Sequence, residues 1–465
     1  MSFRDANIII IDTCRTRVCA GIGLSELLRR PTVEILARVG STPTRTDLLV
    51  GTQLDDALST DQDIRLSWPF ADGDIRDWSQ AEALWKHIIF TQLQRRRTQN
   101  ESPVILTISP GLSRPTYERI CQIFFERFNV PAFAVLERPV AQIYASNSLT
   151  GIVVDIDEEK TDITPIYDNF INYPACATVS LGMRDCAHYL AHLLRLNTSV
   201  ISALSPVDNP LDPESLHQTL LELAKQICEE GLIKVPSDGE TAAPEDEGVT
   251  DIAAVVVAGK ERAVIESGMK KKANAKASAA EQARAREIEA LDLVTIQFRG
   301  KSVTLGKERH RFCEPLFDPT LLNGVMGVPA RSGDDLPRPL QDVVGHAVSL
   351  VDLEQRQYIW QGLVVTGDIT KRVKGLAVAL QSRLAPFLVQ PDFSTEVQPR
   401  SIRVLTVPDY YAEYRDTGNG YAAFLGASIT AKIIFSESNA RNYVSKADYT
   451  SKGPHSIIEM TPALL

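Results

Sequence analysis

Long apolar runs are missing from this 465-residue sequence, and none of its hydrophobic stretches is long enough to span a bilayer. The first residues, Met1-Ser2-Phe3-Arg4-Asp5, have neither the charged nor the apolar region of a secretory leader. Cytosol or nucleus is the expected location, with no membrane partner. Cysteine is scarce: Cys14, Cys19, Cys121, Cys176, Cys186, Cys228 and Cys313 are odd in number and never closely paired. That spacing suggests neither a disulfide framework nor a zinc ribbon, and no metal is expected. An excess of positive charge is missing too. The formal net charge of -10 argues against broad nonspecific nucleic-acid binding, whose affinity comes from basic residues neutralising phosphates. Any DNA contact would have to be local.

What is present is 44% hydrophobic and 23% charged residues, enough to bury large cores in two lobes or more. Ile8-Ile9-Ile10-Ile11-Asp12, Ile152-Val153-Val154-Asp155 and Leu363-Val364-Val365-Thr366-Gly367-Asp368 each run from an aliphatic stretch into a polar turn. Near-continuous aliphatic runs are the signature of strands buried on both faces. Asp12 and Asp155 hold equivalent places in what reads as a duplicated α/β half. Pro103 to Thr107, the amphipathic stretch Arg114 to Phe128 and Asn129 to Phe133 read as strand, helix, strand. A second helical segment runs through Tyr144-Ala145-Ser146 before the chain reaches Gly151.

This order of segments resembles actin. Trp68-Pro69-Phe70 and Trp78 through Trp85 extend the likeness upstream, and Gly420 to Ile429 and Tyr443 to Tyr449 extend it downstream. The resemblance covers most of the chain and implies an α/β, actin-like (actin/chaperone/hexokinase superfamily) two-lobed fold with four subdomains around a central cleft. Residues 1–145 plus 415–465 would form the first lobe, with a small subdomain at 36–74. Residues 146–414 would form the second, with a small subdomain at 187–299 and an insertion at 235–290. The insertion reads as an acidic, breaker-rich stretch from Pro236 to Gly248, an apolar stretch from Ala253 to Ala258, and an exposed helix from Met269 to Ala290. Lys270-Lys271-Lys272 reads as part of a solvated basic helix rather than an import or DNA-touching element.

Glycine is missing where the resemblance requires it. Actin's phosphate loops place glycine-rich turns after an aspartate, because backbone amides must approach phosphate oxygens closely and glycine accepts the needed angles. Here Cys14 and Thr16 stand at the glycines of the first loop, Cys19 at its lysine, and Asp157, Glu158 and Glu159 at the second loop's glycine, aspartate, glycine. Added carboxylates near a triphosphate repel it, and like charges at ~4 Å cost on the order of 1 to 4 kcal/mol. Arg15 or Arg17 would have to supply charge through a changed backbone. Arg138 aligns with the glutamine that positions actin's attacking water, and arginine cannot accept that water's proton. Asp12, Asp155 and Gly367 are left as a vestigial nucleotide cleft. No cofactor is required, and weak binding of ATP or ADP stays open.

Other constellations are weaker. His188 and His192 sit at i and i+4 but read as a helix surface pair, and Ser109, followed by Pro110, forms no nucleophile elbow. By resemblance, a groove that in actin accepts amphipathic partner helices maps onto Tyr144, Leu149, Ile429, Ile433 and Tyr443. The polar segment from Val39 to Asp63 lacks actin's filament loop. These features are similar to those of divergent nuclear actin-related proteins, fungal subunits of SWI/SNF-type and RSC-type chromatin remodelers. The resemblance implies a non-catalytic scaffold in the nucleus. Its partners would be a second actin-related protein in a heterodimer, the helicase-SANT-associated helix of a Snf2-family ATPase, other remodeler subunits, and nucleosomal DNA indirectly. The alternatives are a weakly active actin-like ATPase and a histone-binding actin-related subunit of another chromatin complex, the latter motivated by the acidic stretch Glu240 to Glu247.

Overall fold

The computed structural model describes residues 3–24, 28–42, 48–60, 63–206, 210–236, 292–329, 335–388, 401–436 and 442–461. The expected acidic, apolar and helical parts of the insertion therefore fall outside the described residues. The strands are β1 (Ile9–Thr13), β2 (Arg17–Ile22), β3 (Val33–Leu36), β4 (Val39–Ser41), β5 (Arg65–Ser67), β6 (Val104–Ile108), β7 (Ala132–Glu137), β8 (Gly151–Ile156), β9 (Thr161–Tyr167), β10 (Phe170–Ile171), β11 (Ala177–Val179), β12 (Val294–Phe298), β13 (Lys301–Leu305), β14 (Leu363–Thr366) and β15 (Val444–Ser445).

Two sheets repeat one motif. In the first, ordered β15-β7-β6-β1-β2-β3, β1 pairs antiparallel with β2 and parallel with β6. In the second, ordered β10-β9-β8-β14 with β11 beside β9, β8 pairs antiparallel with β9 and parallel with β14. The aliphatic runs that suggested strands buried on both faces are β1, β8 and β14. Asp12 and Asp155 sit at matching registers, opposite Cys19 and Asp162 respectively. Each hairpin turn is closed by one backbone bond, Cys14 N–H to Arg17 O and Asp157 N–H to Lys160 O, both 2.9 Å.

Helices cover the sheets where polar caps start them and apolar faces seat them. Asp77 caps Trp78–Lys86 by accepting from the Gln80 amide at 3.1 Å, and Ser113 caps Arg114–Gln122 by accepting from the Thr116 amide at 3.3 Å. Each of these helices ends in a π-helical turn, His87–Gln92 and Ile123–Arg127. Trp85 packs between Phe70 and Phe124, and Phe124 stacks on Phe133 of β7 at 4.3 Å. On the other face of the first sheet, helix Arg138–Ala145 packs against the small-residue helix Ala422–Ser436. A Cβ on Gly426 would lie 1.7 Å from the Ala141 carbonyl oxygen, so this crossing accepts no side chain.

The chain divides into two compact units. The first holds Met1–Val179, Asp342–Lys371 and Leu384–Leu465, so it contains both large sheets and the expected lobe boundary at residues 145 and 146. The second holds Ser180–Gln341 and Arg372–Arg383. It is built on helices Met183–Leu196 and Pro213–Glu229 with the β12–β13 hairpin. Buried Arg309 donates there to the carbonyls of Leu232 at 3.1 Å and Asp292 at 2.6 Å. His188, read as half of a surface pair, is half-buried and stacks on buried His217 at 5.4 Å.

Candidate functional site

The matching turns of the two β hairpins, β1–β2 and β8–β9, are joined to each other by side chains. Arg15 reaches Asp162 through both terminal nitrogens, Nη2 to Oδ1 at 2.9 Å and Nη1 to Oδ2. Thr16 Oγ1 donates to Asp157 Oδ1 at 2.6 Å. The Thr16 contact runs from the first phosphate-loop position to the second, and the Arg15 pair runs from the first to the start of β9. Charge-assisted, forked guanidinium pairs of this kind are the strong class of hydrogen bond.

Beneath the turns, Arg138 lies between the two strand-end aspartates. Its Nε donates to Asp12 Oδ1 at 3.0 Å and its Nη1 to Asp155 Oδ2. Only 14% of the Arg138 side chain is exposed, against 8% for Asp12 and 14% for Asp155, so this is a nearly buried triad. Thr107 Oγ1 donates to Asp12 at 2.7 Å, and Gln142 Nε2 to Asp155 at 2.8 Å. The helix that carries Arg138 starts there because Pro139 takes its first turn, where a missing N–H goes unnoticed.

A third cluster closes the β14 side. Arg17 pairs with Glu34 at 2.6 Å and with Asp368, while Lys371 pairs with the same two carboxylates at 2.8 Å each. The Lys371 ammonium also lies 3.7 Å from the Tyr421 ring centre, and the Tyr421 hydroxyl donates to Glu34 at 2.6 Å. Burial alone would raise the Glu34 carboxyl, but the bonds from Lys371 and Tyr421 and the charges of Lys371 and Arg17 outweigh it and hold it at about 2. Desolvation, helped by the Asp157 charge, pushes the Cys14 thiol up to about 12, so it stays neutral and is no nucleophile. Lys160 faces Asp72 at 3.4 Å.

The structure thus brings Asp12 and Asp155 together on one arginine, and sets Gly367 at the end of β14. Gly367 has φ +103, and a Cβ there would stand 2.1 Å from the Ile156 carbonyl oxygen. Close approach of β14 to β8 accounts for that glycine without a ligand. Arg15 and Arg17, the cations with which a changed loop could meet phosphate, are each committed to carboxylates. Sequence reasoning missed Glu137, a buried carboxylate beside Arg138 that accepts from Tyr117, Tyr173 and the Gly111 amide at 2.7–3.0 Å. Burial outweighs those bonds and raises its carboxyl above the usual range.

Of the groove residues, Leu149 and Ile433 are each 51% exposed. Tyr144, Ile429 and Tyr443 are half-buried and packed against one core cluster, where Tyr443 meets Phe435 at 5.2 Å and Phe3 at 6.0 Å. Among the described residues no cluster of three or more metal-ligating side chains occurs.

The actin family model matches residues 4–226, the part of the chain that supplies both hairpin turns and Arg138. Over those residues the chain is recognised as actin-like. Along its whole length the chain is similar to the SWI/SNF and RSC complexes subunit arp9 of Schizosaccharomyces pombe, 25% identical over 540 aligned residues that cover 98% of this chain and 99% of that protein.

Proposed function

We propose that this chain is an actin-related protein that serves as a non-catalytic scaffold subunit of a nuclear chromatin-remodeling complex of the SWI/SNF or RSC type. The observation that carries this reading is the side-chain network spanning the two phosphate-loop positions, taken with full-length similarity to a subunit of those complexes. Tested against a nucleoside triphosphate, the residues do not fit. Arg15, Arg17, Arg138, Lys160 and Lys371 already face carboxylates, and Asp12, Asp155, Asp157 and Asp368 would meet a phosphate chain with like charge. A bound phosphate would have to break several of these pairs in partly dry surroundings, where each is worth more than in water. Arg138 stands where a hydrolase would hold its water-orienting amide. Arginine at that position cannot accept the attacking water's proton.

What the fold then offers is a surface for binding. Its partners in this reading are a second actin-related protein and the helix preceding the motor of a Snf2-family ATPase, whose apolar face would meet Leu149 and Ile433. Exposed aliphatic side chains such as Leu149 and Ile433 suit the i, i+3, i+4 face of such a helix. Ile433→Asp and Leu149→Asp are expected to cut capture of the motor's helix in a pull-down at least tenfold while leaving the melting temperature near that of the parent. Undiminished capture by both folded variants contradicts the groove assignment. Tyr144 is unsuited to this test, because a carboxylate at its half-buried position would disturb the core as well.

A further inference from the structure

Residues 86 to 100 contain Lys86, Arg95, Arg96 and Arg97 and not one Asp or Glu, in a chain of formal net charge -10. The turn that carries the three arginines is fixed by its own backbone. Leu93 N–H donates to Ile88 O at 2.8 Å, Arg95 N–H to Ile89 O at 3.0 Å and Gln99 N–H to Arg96 O at 3.2 Å. Arg96 and Arg97 are exposed. Arg97 Nη2 donates to the Glu126 carbonyl at 3.0 Å, Asn129 Nδ2 donates to the Arg97 carbonyl at 2.8 Å, and Lys446 Nζ donates to Asn129 Oδ1 at 2.6 Å. This chain of bonds gathers Arg97, Lys446 and Arg127, the neighbour of Glu126, onto one surface. Among the described residues Arg95, Arg96 and Arg97 enter no ion pair, and Arg127 has only a 3.9 Å contact with Glu82. The Glu126 carboxylate is taken up by Gln122 and Tyr449 rather than by an arginine.

We propose that Arg95, Arg96, Arg97, Arg127 and Lys446 form a docking site for the phosphate backbone of duplex DNA. Charge alone would equally suit an acidic peptide. A peptide or protein surface, however, is anchored by large apolar or aromatic side chains, and none of the exposed large hydrophobic residues lies in 86–100, 122–131 or 442–449. Phosphate contact needs only guanidinium, ammonium, hydroxyl and amide donors, and exposed Thr91, Gln94, Thr98 and Gln99 flank the arginines with the latter two kinds. Contact to phosphate oxygens alone makes the binding independent of base sequence. The site does not depend on the chain's belonging to a remodeler.

The test is fluorescence anisotropy of a labelled duplex of arbitrary sequence, titrated with the purified full-length chain at 50 and 150 mM salt. With four to five phosphates engaged, log K is expected to fall with log salt at a slope of about -4, which weakens binding roughly eighty-fold between those concentrations. Arg96→Gln with Arg127→Gln should make the slope shallower by about 2 and weaken binding at least tenfold at 50 mM. Lys225→Gln, an exposed change in the second unit, should leave it unchanged. Should the double variant melt early, Arg96→Gln alone gives the same test at about half the change in slope. No saturable binding at 50 mM salt, equal binding by the Arg variants and the Lys225 control, or tighter binding to polyglutamate than to the duplex each overturns the proposal.

Discussion

Arg138→Leu is expected to lower the stability of the first unit by about 3–5 kcal/mol, because removing one member of a buried ion group leaves the others charged and unpaired. Asp12 and Asp155 would then face each other at the ends of β1 and β8 with only Thr107 and Gln142 to bind them. In thermal unfolding this corresponds to a fall in midpoint of roughly 6–20 °C. Millimolar Mg-ATP should not restore it. Adding Asp12→Asn and Asp155→Asn to Arg138→Leu should recover most of the loss, since replacing a whole buried ion group with neutral residues is often close to neutral. A single variant that melts within about 3 °C of the parent would mean that the three side chains are not coupled, and the site would then need another explanation for its arginine.

Gly426→Val is expected to abolish the folded state. The added Cβ would stand 1.7 Å from the Ala141 carbonyl oxygen and 2.5 Å from its carbon. Both are backbone atoms of the facing helix, so no rotamer change relieves the clash and the helices must move apart. That movement would open the cluster of Ala141, Ile143, Phe424, Leu425, Ala427 and Ala431, all nearly or fully buried. Even Gly426→Ala should lose more than about 4 kcal/mol, a size reserved for overpacking and similar core failures. Soluble yield and circular dichroism check this directly, and a cooperative melt at the parental temperature from Gly426→Val would contradict the helix crossing described here.

The fold was readable because its central strands carry their own signature. Ile8 to Ile11, Ile152 to Val154 and Leu363 to Val365 are aliphatic at every position, which only strands covered on both faces require, and each runs into a polar turn. The helix starts at Trp78 and Arg114 are set just as locally, by the caps Asp77 and Ser113, which were not read from the sequence. The site was less readable. Missing glycines at Cys14, Thr16 and Asp157 showed that the loops differ from actin's, but not what fills them. Arg15 and Arg17 looked like spare cations because Asp162, Glu34 and Asp368 lie 147, 17 and 351 residues from them along the chain, beyond any local pattern. Arg138 was legible as a substitution and illegible as a bridge for the same reason. Gly367 points the other way: a residue that resembled a remnant of nucleotide binding is required by the backbone packing of β14 on β8. Half-burial of Tyr144, Ile429 and Tyr443 depends on neighbours such as Phe3 and Phe435 that no sequence spacing relates to them.

The most direct measurement is calorimetric titration of the purified chain with Mg-ATP and Mg-ADP up to about a millimolar. If Arg15, Thr16, Arg17, Arg138 and Lys371 hold the two phosphate-loop positions together as the nucleotide would, no saturable heat appears with either ligand and Arg138→Leu does not create any. A saturable isotherm with micromolar affinity, lost on substitution of Lys371, would show that phosphate displaces these pairs and that the site is a working nucleotide cleft.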